Sequence, residues 1–313
     1  MENILFSFSV MAPLFIMVLL GNQMKRFGFL DDDFLNKANK FAFQFAFPAS
    51  VFRSLYTTEF TMESLRLIIF SIVALVLFIA LMMALTPKLV TAPKTCGALI
   101  QGCYRGSYVV ISVPLANNIF GEQGFPQLSV MAPTTIVLFN VFAVIVLSLY
   151  SDEKKKVPAK KILKDIATNP ILWGALLGML FALSPFTMPT VADTVLGYFS
   201  ALATPLALLA LGGQLNYKEE KPSVKVVGTA CFIKLILLPA AMIAAAAALG
   251  FGGKELFALF LIHGSPTTVS SYVMAKEMNS DAPATSAMIL FTTFFSAFTM
   301  FVGIIIFRSL GFI

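Results

Sequence analysis

The chain has 313 residues, of which 58% are hydrophobic and only 12% charged, and its mean hydropathy is +0.87. Those values exclude an ordinary water-soluble surface and make the bilayer the solvent that the fold must satisfy. The formal net charge of +6 is accounted for by lysine-rich loops beside anionic lipid, so no nucleic-acid partner is expected.

A helix needs about 20 mostly apolar residues to cross about 30 Å of hydrocarbon. The first such run covers residues 3–24; its start, Met1-Glu2-Asn3, has no basic residue and no small-residue cleavage pattern follows, so it reads as a span rather than a signal peptide. The second, 35–55, is weaker, because only 41–52 is free of charge, and Lys37, Lys40 and Arg53 are expected to snorkel to the interfaces. The third covers 67–87, the fourth 95–121 with Arg105 inside it, and the fifth 123–151. Beyond a lysine-rich stretch come the sixth at 166–192 and the seventh at 194–217. The eighth, 226–253, holds Lys234; the ninth, 256–275, holds His263; the tenth is 282–307. The expectation is an all-α polytopic membrane protein of ten transmembrane helices.

Of the 22 basic residues, sixteen fall in one alternating set of loops and four in the other. The richer side is cytoplasmic by the positive-inside rule, which places both termini away from the cytoplasm in a multi-pass protein of the cell inner (plasma) membrane. Cys96, Cys103 and Cys231 are odd in number and show no metal-ligand spacing, so they read as packing residues, and no metal site is expected.

The lysine run 154–164 lies near the middle of the chain, with five spans on either side. Gly21 and Gly178 are 157 positions apart, as are Pro48 and Pro205, while Pro114 and Pro266 are 152 apart. These coincidences suggest a first five-helix repeat at 1–152, a basic cytoplasmic linker at 153–168 and a second repeat at 169–313. An odd number of spans per half forces the second repeat to be inverted, an arrangement that gives a carrier two nearly equivalent states.

The fourth and ninth spans are both polar and proline-interrupted. One reads Gln101-Gly102-Cys103-Tyr104-Arg105-Gly106-Ser107, then Ile111-Ser112-Val113-Pro114-Leu115-Ala116-Asn117-Asn118; the other reads His263-Gly264-Ser265-Pro266-Thr267-Thr268-Val269-Ser270-Ser271. Proline removes a backbone donor and clashes with the preceding turn, so each span is expected to break at Pro114 or Pro266. Freed backbone groups at membrane depth are tolerated where they line a cavity, and the half-helix after each break offers amide groups and a positive dipole end to an anion. A proline kink satisfied by neighbouring Ser and Thr is the bland alternative.

These residues carry a family resemblance. Pro13 through Gly21 with Lys25-Arg26-Phe27-Gly28, Phe47-Pro48, Arg105-Gly106 with Pro114-Leu115-Ala116, Asn169-Pro170, and Ser265-Pro266-Thr267-Thr268 through Tyr272 and Ala275 together resemble the auxin efflux carrier family, whose bacterial members include malate and malonate permeases. The resemblance covers essentially the whole chain. It implies an inverted-repeat fold whose fourth and ninth helices cross at their prolines, a scaffold and homodimer interface of helices 1, 2, 6 and 7, and a moving transport domain of helices 3–5 and 8–10. Substrate is expected between them. The chain departs from many relatives at Ser107, where they carry Asn, and at Ser112, where they carry Gly; the long cytoplasmic loop of the plant carriers is replaced by the lysine linker, which argues against auxin as the natural substrate.

Arg105 is costly within a span that has no Asp or Glu to pair with it, and a substrate carboxylate offers the bidentate partner that guanidinium suits. Snorkelling or carbonyl capping is the alternative for Arg105, and a stem extended toward the cytoplasmic surface is the expectation for Lys234. The expected binding set is Arg105, Ser107, Pro114, Asn117, Asn118, Ser265, Pro266, Thr267 and Thr268. His263 and Gln101 are candidates for proton or sodium coupling, and no other cofactor is expected. A cation/proton antiporter would use intramembrane carboxylates, and an intramembrane hydrolase would need a metal cluster or an activated nucleophile; the chain offers neither. The expectation is therefore a secondary carrier of a small carboxylate, working by elevator-like alternating access. The alternatives are a non-transporting membrane sensor, or a sodium- or proton-coupled carrier of another solute on the same fold.

Overall fold

The protein is described from a computed structural model covering residues 13, 16–56, 65–120, 126–151, 160, 164, 167–214 and 223–313, with the side chains of 54, 109, 110, 113, 114, 117, 118, 126, 129, 130, 132, 133 and 214 left aside. Most of the lysine run 154–164 lies outside these residues. The described elements are helical, and the single extended pairing among them is a bridge between Gly106 and Thr267. Four helices, Leu65–Leu89, Thr190–Gly213, Val224–Ala248 and Ala282–Ser309, are each long and apolar enough to cross a bilayer.

Helix α1 occupies 16–26 and ends in a turn at Gly28, whose φ of 79° is open to glycine without strain. α2 (Asp32–Phe41) starts at Asp31, whose carboxylate accepts from Phe34 N at 2.7 Å, and Asp32 and Asp33 add negative charge to its first turn. It runs through a π segment, Ala42–Ala46, into α3 (Phe47–Tyr56). A second π segment, Ile233–Leu237, joins α10 (Val224–Phe232) to α11 (Leu238–Ala248). Both wide turns immediately precede a proline, Pro48 or Pro239. Because proline lacks an N–H and crowds the carbonyl four residues back, the turn opens to i→i−5, seen in Phe47 N donating to Ala42 O and Leu238 N to Ile233 O.

The remaining elements are α4 (Leu65–Leu89), α5 (Pro93–Tyr104), α6 (Tyr108–Phe120), α7 (Pro126–Leu149), α8 (Pro170–Ala182), α9 (Thr190–Gln214), α12 (Gly253–Gly264), α13 (Ser270–Glu277) and α14 (Ala282–Ser309). Asn169 caps α8 by accepting from Ile171 N and Leu172 N, and Asp281 caps α14 by accepting from Ala284 N. The apolar run 166–192 does not form one long span. α8 is 13 residues long and stops at Ala182, because Ser184 precedes Pro185 and a residue before proline is pushed out of the helical region. α9 then begins at Thr190, just beyond Pro189, four residues earlier than its charge-free run, which brings Asp193 into its first turn. There Asp193 accepts from Arg53 Nε at 2.9 Å and from the Tyr56 hydroxyl, a partly exposed pair at the ends of α3 and α9.

Helices α1, α3, α8 and α9 pack through glycines that allow backbones to touch, as small residues do in membrane bundles. A Cβ on Gly178 would lie 2.6 Å from Phe52 O, and one on Gly21 would collide with Leu209 O. Phe52 and Leu209 are 157 positions apart, the same interval that separates Gly21 from Gly178. Gly174 against Pro48 O and Gly212 against Val18 O repeat the close approach. A larger apolar cluster brings together α4–α7, α10–α12 and α14 around Leu99, Tyr104, Phe257, Met288 and Ile304, and reaches Leu55 of α3 and Ala175 of α8. In another cluster Tyr272, Val273 and Met274 of α13 pack with Ala42, Ala46 and Phe47, with Ala203 and Ala207 of α9, and with Ala143 and Val144 of α7.

Gly178→Ala and Gly21→Ala should each lower the stability of the purified protein by about 1–3 kcal/mol, because backbone rather than a flexible side chain must move. Gly228→Ala, with open space around its Cβ, should be neutral or stabilising by up to about 1 kcal/mol. Thermal unfolding in detergent checks the contrast, and equal midpoints for the three variants would contradict it.

Candidate functional site

The stretch 95–121 is interrupted between Tyr104 and Tyr108 and the stretch 256–275 between Gly264 and Ser270, and the two interruptions lie against each other. Arg105 (φ −72°, ψ 122°) and Ser265 (φ −62°, ψ 147°) leave the helical region at the two ends. Ser265 does so because Pro266 follows it. Arg105 does so beside Gly106, the residue that allows contact: a Cβ there would strike Ser265 Oγ and sit 2.9 Å from Ile262 O and 3.1 Å from Lys234 Nζ. Backbone groups freed by the breaks are then satisfied across the crossing. Ser107 N donates to Pro266 O at 2.7 Å, Thr267 Oγ1 to Gly102 O at 2.8 Å, and Thr292 Oγ1 accepts from Thr267 N at 3.0 Å.

Pro114 does not mark a break. It lies inside Tyr108–Phe120, whose backbone continues as helix through it, since contact with the other half-helix at Gly106, and not the missing proline donor, ends regularity in this span. The matched positions at the crossing are Arg105 and Ser265, so the interval of 152 between Pro114 and Pro266 is not the spacing of the two breaks. The side chains of Pro114, Asn117 and Asn118 lie outside the described ones.

Arg105 is 2% exposed and turned inward, not snorkelled. One terminal nitrogen donates to Gln101 Oε1 at 3.0 Å and to Met274 Sδ at 2.9 Å; the other donates to Asn140 Oδ1 at 2.9 Å and Ser270 Oγ at 3.0 Å. Asn140 Nδ2 donates to Ile136 O and Gln101 Nε2 to Ser271 O, which turns both amide oxygens toward the guanidinium. Every one of these acceptors is neutral, and Arg105 Nε has no partner among the described residues.

Beside Arg105 lies a cavity of about 130 Å³, lined on one side by Gly106, Ser107, Tyr108, Asn140, Thr268 and Ser270 together with the apolar Ile136, Phe139 and Val269, and on the other by Phe47, Ser50, Val51, Ile171 and Thr204. The first wall includes the starts of α6 and α13, where the leading N–H groups lack intrahelical acceptors and the helix dipoles are positive. The second belongs to α3, α8 and α9 and is mostly apolar, with two hydroxyls. The arrangement suits a small ligand with one strongly negative end.

Of the expected binding residues, Arg105, Ser107 and Thr268 border the cavity, whereas Ser265, Pro266 and Thr267 build the crossing without lining it. Gln101 stands behind Arg105 as its acceptor. His263 is fully buried away from the cavity, and neither ring nitrogen has a hydrogen-bond partner among the described residues. The extension of Lys234 toward the cytoplasmic surface is overturned: it is fully buried, and its ammonium donates to His263 O at 2.8 Å and to Tyr104 O at 3.4 Å. Unfilled helix-end carbonyls inside the protein hold it more firmly than a distant interface would. Sequence reasoning missed Asn140, Ser270, Met274, Ser50 and Thr204. A lone Asn in the apolar α7 was a usable signal, while Ser50 and Thr204 are too common in type to stand out.

Thr267→Val and Thr268→Val should therefore behave differently. The first removes the bond to Gly102 O and costs about 0.5–1.5 kcal/mol of stability with ligand affinity little changed; the second should leave stability near the parent's and weaken ligand binding. Paired thermal unfolding and binding titrations check this, and a reversed pattern would contradict the assignment of cavity wall and crossing.

The family model described as "Membrane transport protein" matches residues 6–304. An uncharacterized transporter of Methanothermobacter thermautotrophicus is 26% identical over 287 residues, covering 90% of this chain and 92% of the relative. Another, from Methanocaldococcus jannaschii, is 25% identical over 295 residues, covering 92% and 94%. A Rhizobium meliloti protein provisionally named a malonate transporter is 28% identical over 154 residues, 48% of this chain and 47% of its own length. With a family match running through nearly all its helices, the chain is a multi-pass membrane protein that belongs to the membrane transport protein family, the auxin efflux carriers that its motifs resemble.

Proposed function

We propose that the protein is a secondary carrier of a small organic anion, a short carboxylate of the size of malonate or malate, bound in the cavity beside the crossing. The observation that carries this reading is Arg105, a buried guanidinium held by neutral groups, its Nε without a partner among the described residues, on the wall where two half-helices begin. A charge without a counter-charge is expensive at membrane depth, and a carboxylate entering beside Arg105 supplies one in a planar geometry that guanidinium recognises. The cavity of about 130 Å³ has room for about four waters at about 30 Å³ each. It is well below the roughly 300–1,000 Å³ of drug-sized sites, which favours a short acid over a large aromatic one. The partial relative provisionally named a malonate transporter points to the same class.

The cavity is walled by α6, α7 and the start of α13 on one side and by α3, α8 and α9 on the other, which suits elevator-like alternating access in which α4–α7 and α10–α14 would shift against α1–α3, α8 and α9. Two inverted five-helix repeats, ten spans in all, would account for the pairs Gly21–Leu209 and Gly178–Phe52, whose members recur at the same interval. The exposed apolar residues Leu19 and Leu20 of α1 and Leu176, Leu177 and Leu180 of α8 face outward, available to lipid or to a second copy in a homodimer through helices 1, 2, 6 and 7. In this reading the protein sits in the inner membrane with both termini outside the cytoplasm.

Uptake of labelled malonate, malate and other short acids into proteoliposomes, under imposed proton, sodium and voltage gradients, tests the reading. The parent should show saturable, competable uptake of at least one acid, and Arg105→Gln should lower its apparent affinity at least about tenfold. The gradient dependence names the coupling ion. A folded parent that binds an acid without moving it would make the protein a sensor, and a folded parent that neither binds nor moves any would overturn the anion reading.

A further inference from the structure

Four half-helix ends meet at the crossing, and they are sorted by sign. α6 and α13 begin on the cavity side, beside Arg105, so two positive dipole ends face the cavity. α5 and α12 end on the other side, at Tyr104 and Gly264, where their last carbonyls have no partner within their own helices. The ammonium of Lys234 stands at both: it donates to His263 O at 2.8 Å and Tyr104 O at 3.4 Å. It also lies directly behind Gly106, since a Cβ there would be 3.1 Å from Nζ, and Gly106 lines the cavity. The lysine is delivered by the π segment Ile233–Leu237 of a third helix, a distortion that often marks functional positions.

Each helix end carries roughly half an elementary charge. Two C-terminal ends amount to about one negative charge within a glycine's width of the cavity, in an interior that screens poorly. Left alone, they would offset much of the attraction that Arg105 and the two N-terminal ends exert on an anion. We propose that Lys234 is an electrostatic positioning residue for the anion site: it neutralises the two C-terminal ends behind the crossing, so that the cavity presents Arg105 and the two N-terminal ends without an opposing field. This assignment rests on the anion reading of the cavity. Lys234 touches no ligand in it, and acts through the helix ends that it caps.

The test separates charge from packing. Malonate and malate are titrated, alongside their uncharged diamides, against the purified full-length protein, with thermal stabilisation giving an apparent affinity for each. The parent should prefer the acids. Lys234→Gln, which keeps a donor for the two carbonyls but no charge, and Lys234→Met should each shrink that acid-over-amide preference by about tenfold, with amide affinity little changed. Lys234→Arg should retain the preference. A neutral variant that keeps it, or loses acid and amide affinity equally, overturns the assignment by reducing Lys234 to a packing role. Should the neutral variants fail to fold, a folded Lys234→Arg that lacks the preference overturns it as well. A parent with no preference for acids removes the anion reading itself, and this assignment falls with it; a parent that prefers acids while the variants behave like it sinks only the role of Lys234.

Discussion

Helix ends cannot be left bare inside a membrane protein, and here four of them converge where Gly106 passes Pro266. The backbone cross-bonds between Ser107 and Pro266 and between Thr267 and Gly102 satisfy the groups that the two breaks release. They leave the carbonyls of Tyr104 and His263, at the ends of α5 and α12, to the Lys234 ammonium. Lys234 takes carbonyls on one side, and the cavity takes the amide ends on the other. Glycine at 106 is required for the approach, and both the lysine and the cavity depend on that approach, so the polarity of the site follows from how the two broken helices touch.

The surrounding packing holds this geometry by two different kinds of contact. Glycine contacts bind α1 to α9 and α3 to α8 backbone to backbone, which leaves little freedom within that group. The broken helices are instead embedded in side chains such as Tyr104, Phe257 and Met288. The cavity has a mixed wall, where Arg105, Asn140 and Ser270 stand among Ile136, Phe139 and Val269, and a mostly apolar wall with Ser50 and Thr204 as its hydroxyls.

Much of this was legible in the sequence because hydrocarbon thickness is an unforgiving ruler. The runs 67–87 and 282–307 became Leu65–Leu89 and Ala282–Ser309, and Arg105 stood out because charge at membrane depth demands a reason. Pro266 marked its break correctly, since proline constrains the residue before it. Pro114 misled, because a break can be set by tertiary contact at a glycine several residues away, and a glycine two residues before Tyr108 looks like any other. The short α8 was hidden by apolar loop residues around Pro185 and Pro189, where hydrophobicity reports depth and not helicity. Lys234 was misread because snorkelling depends on which way a side chain points; only packing reveals that two orphaned carbonyls lie closer than the interface. Asn140 and Ser270 could be paired with Arg105 only in three dimensions, across 35 and 165 positions of sequence.

The most direct test of the central claim is a structure of the protein determined with a saturating short acid such as malonate. A carboxylate seated in the cavity against Arg105, within hydrogen-bond reach of Ser107 or Ser270 and the starts of α6 and α13, is the result expected. A carboxylate bound elsewhere, with Arg105 still held by Gln101, Asn140, Ser270 and Met274 and the cavity unchanged, would contradict it.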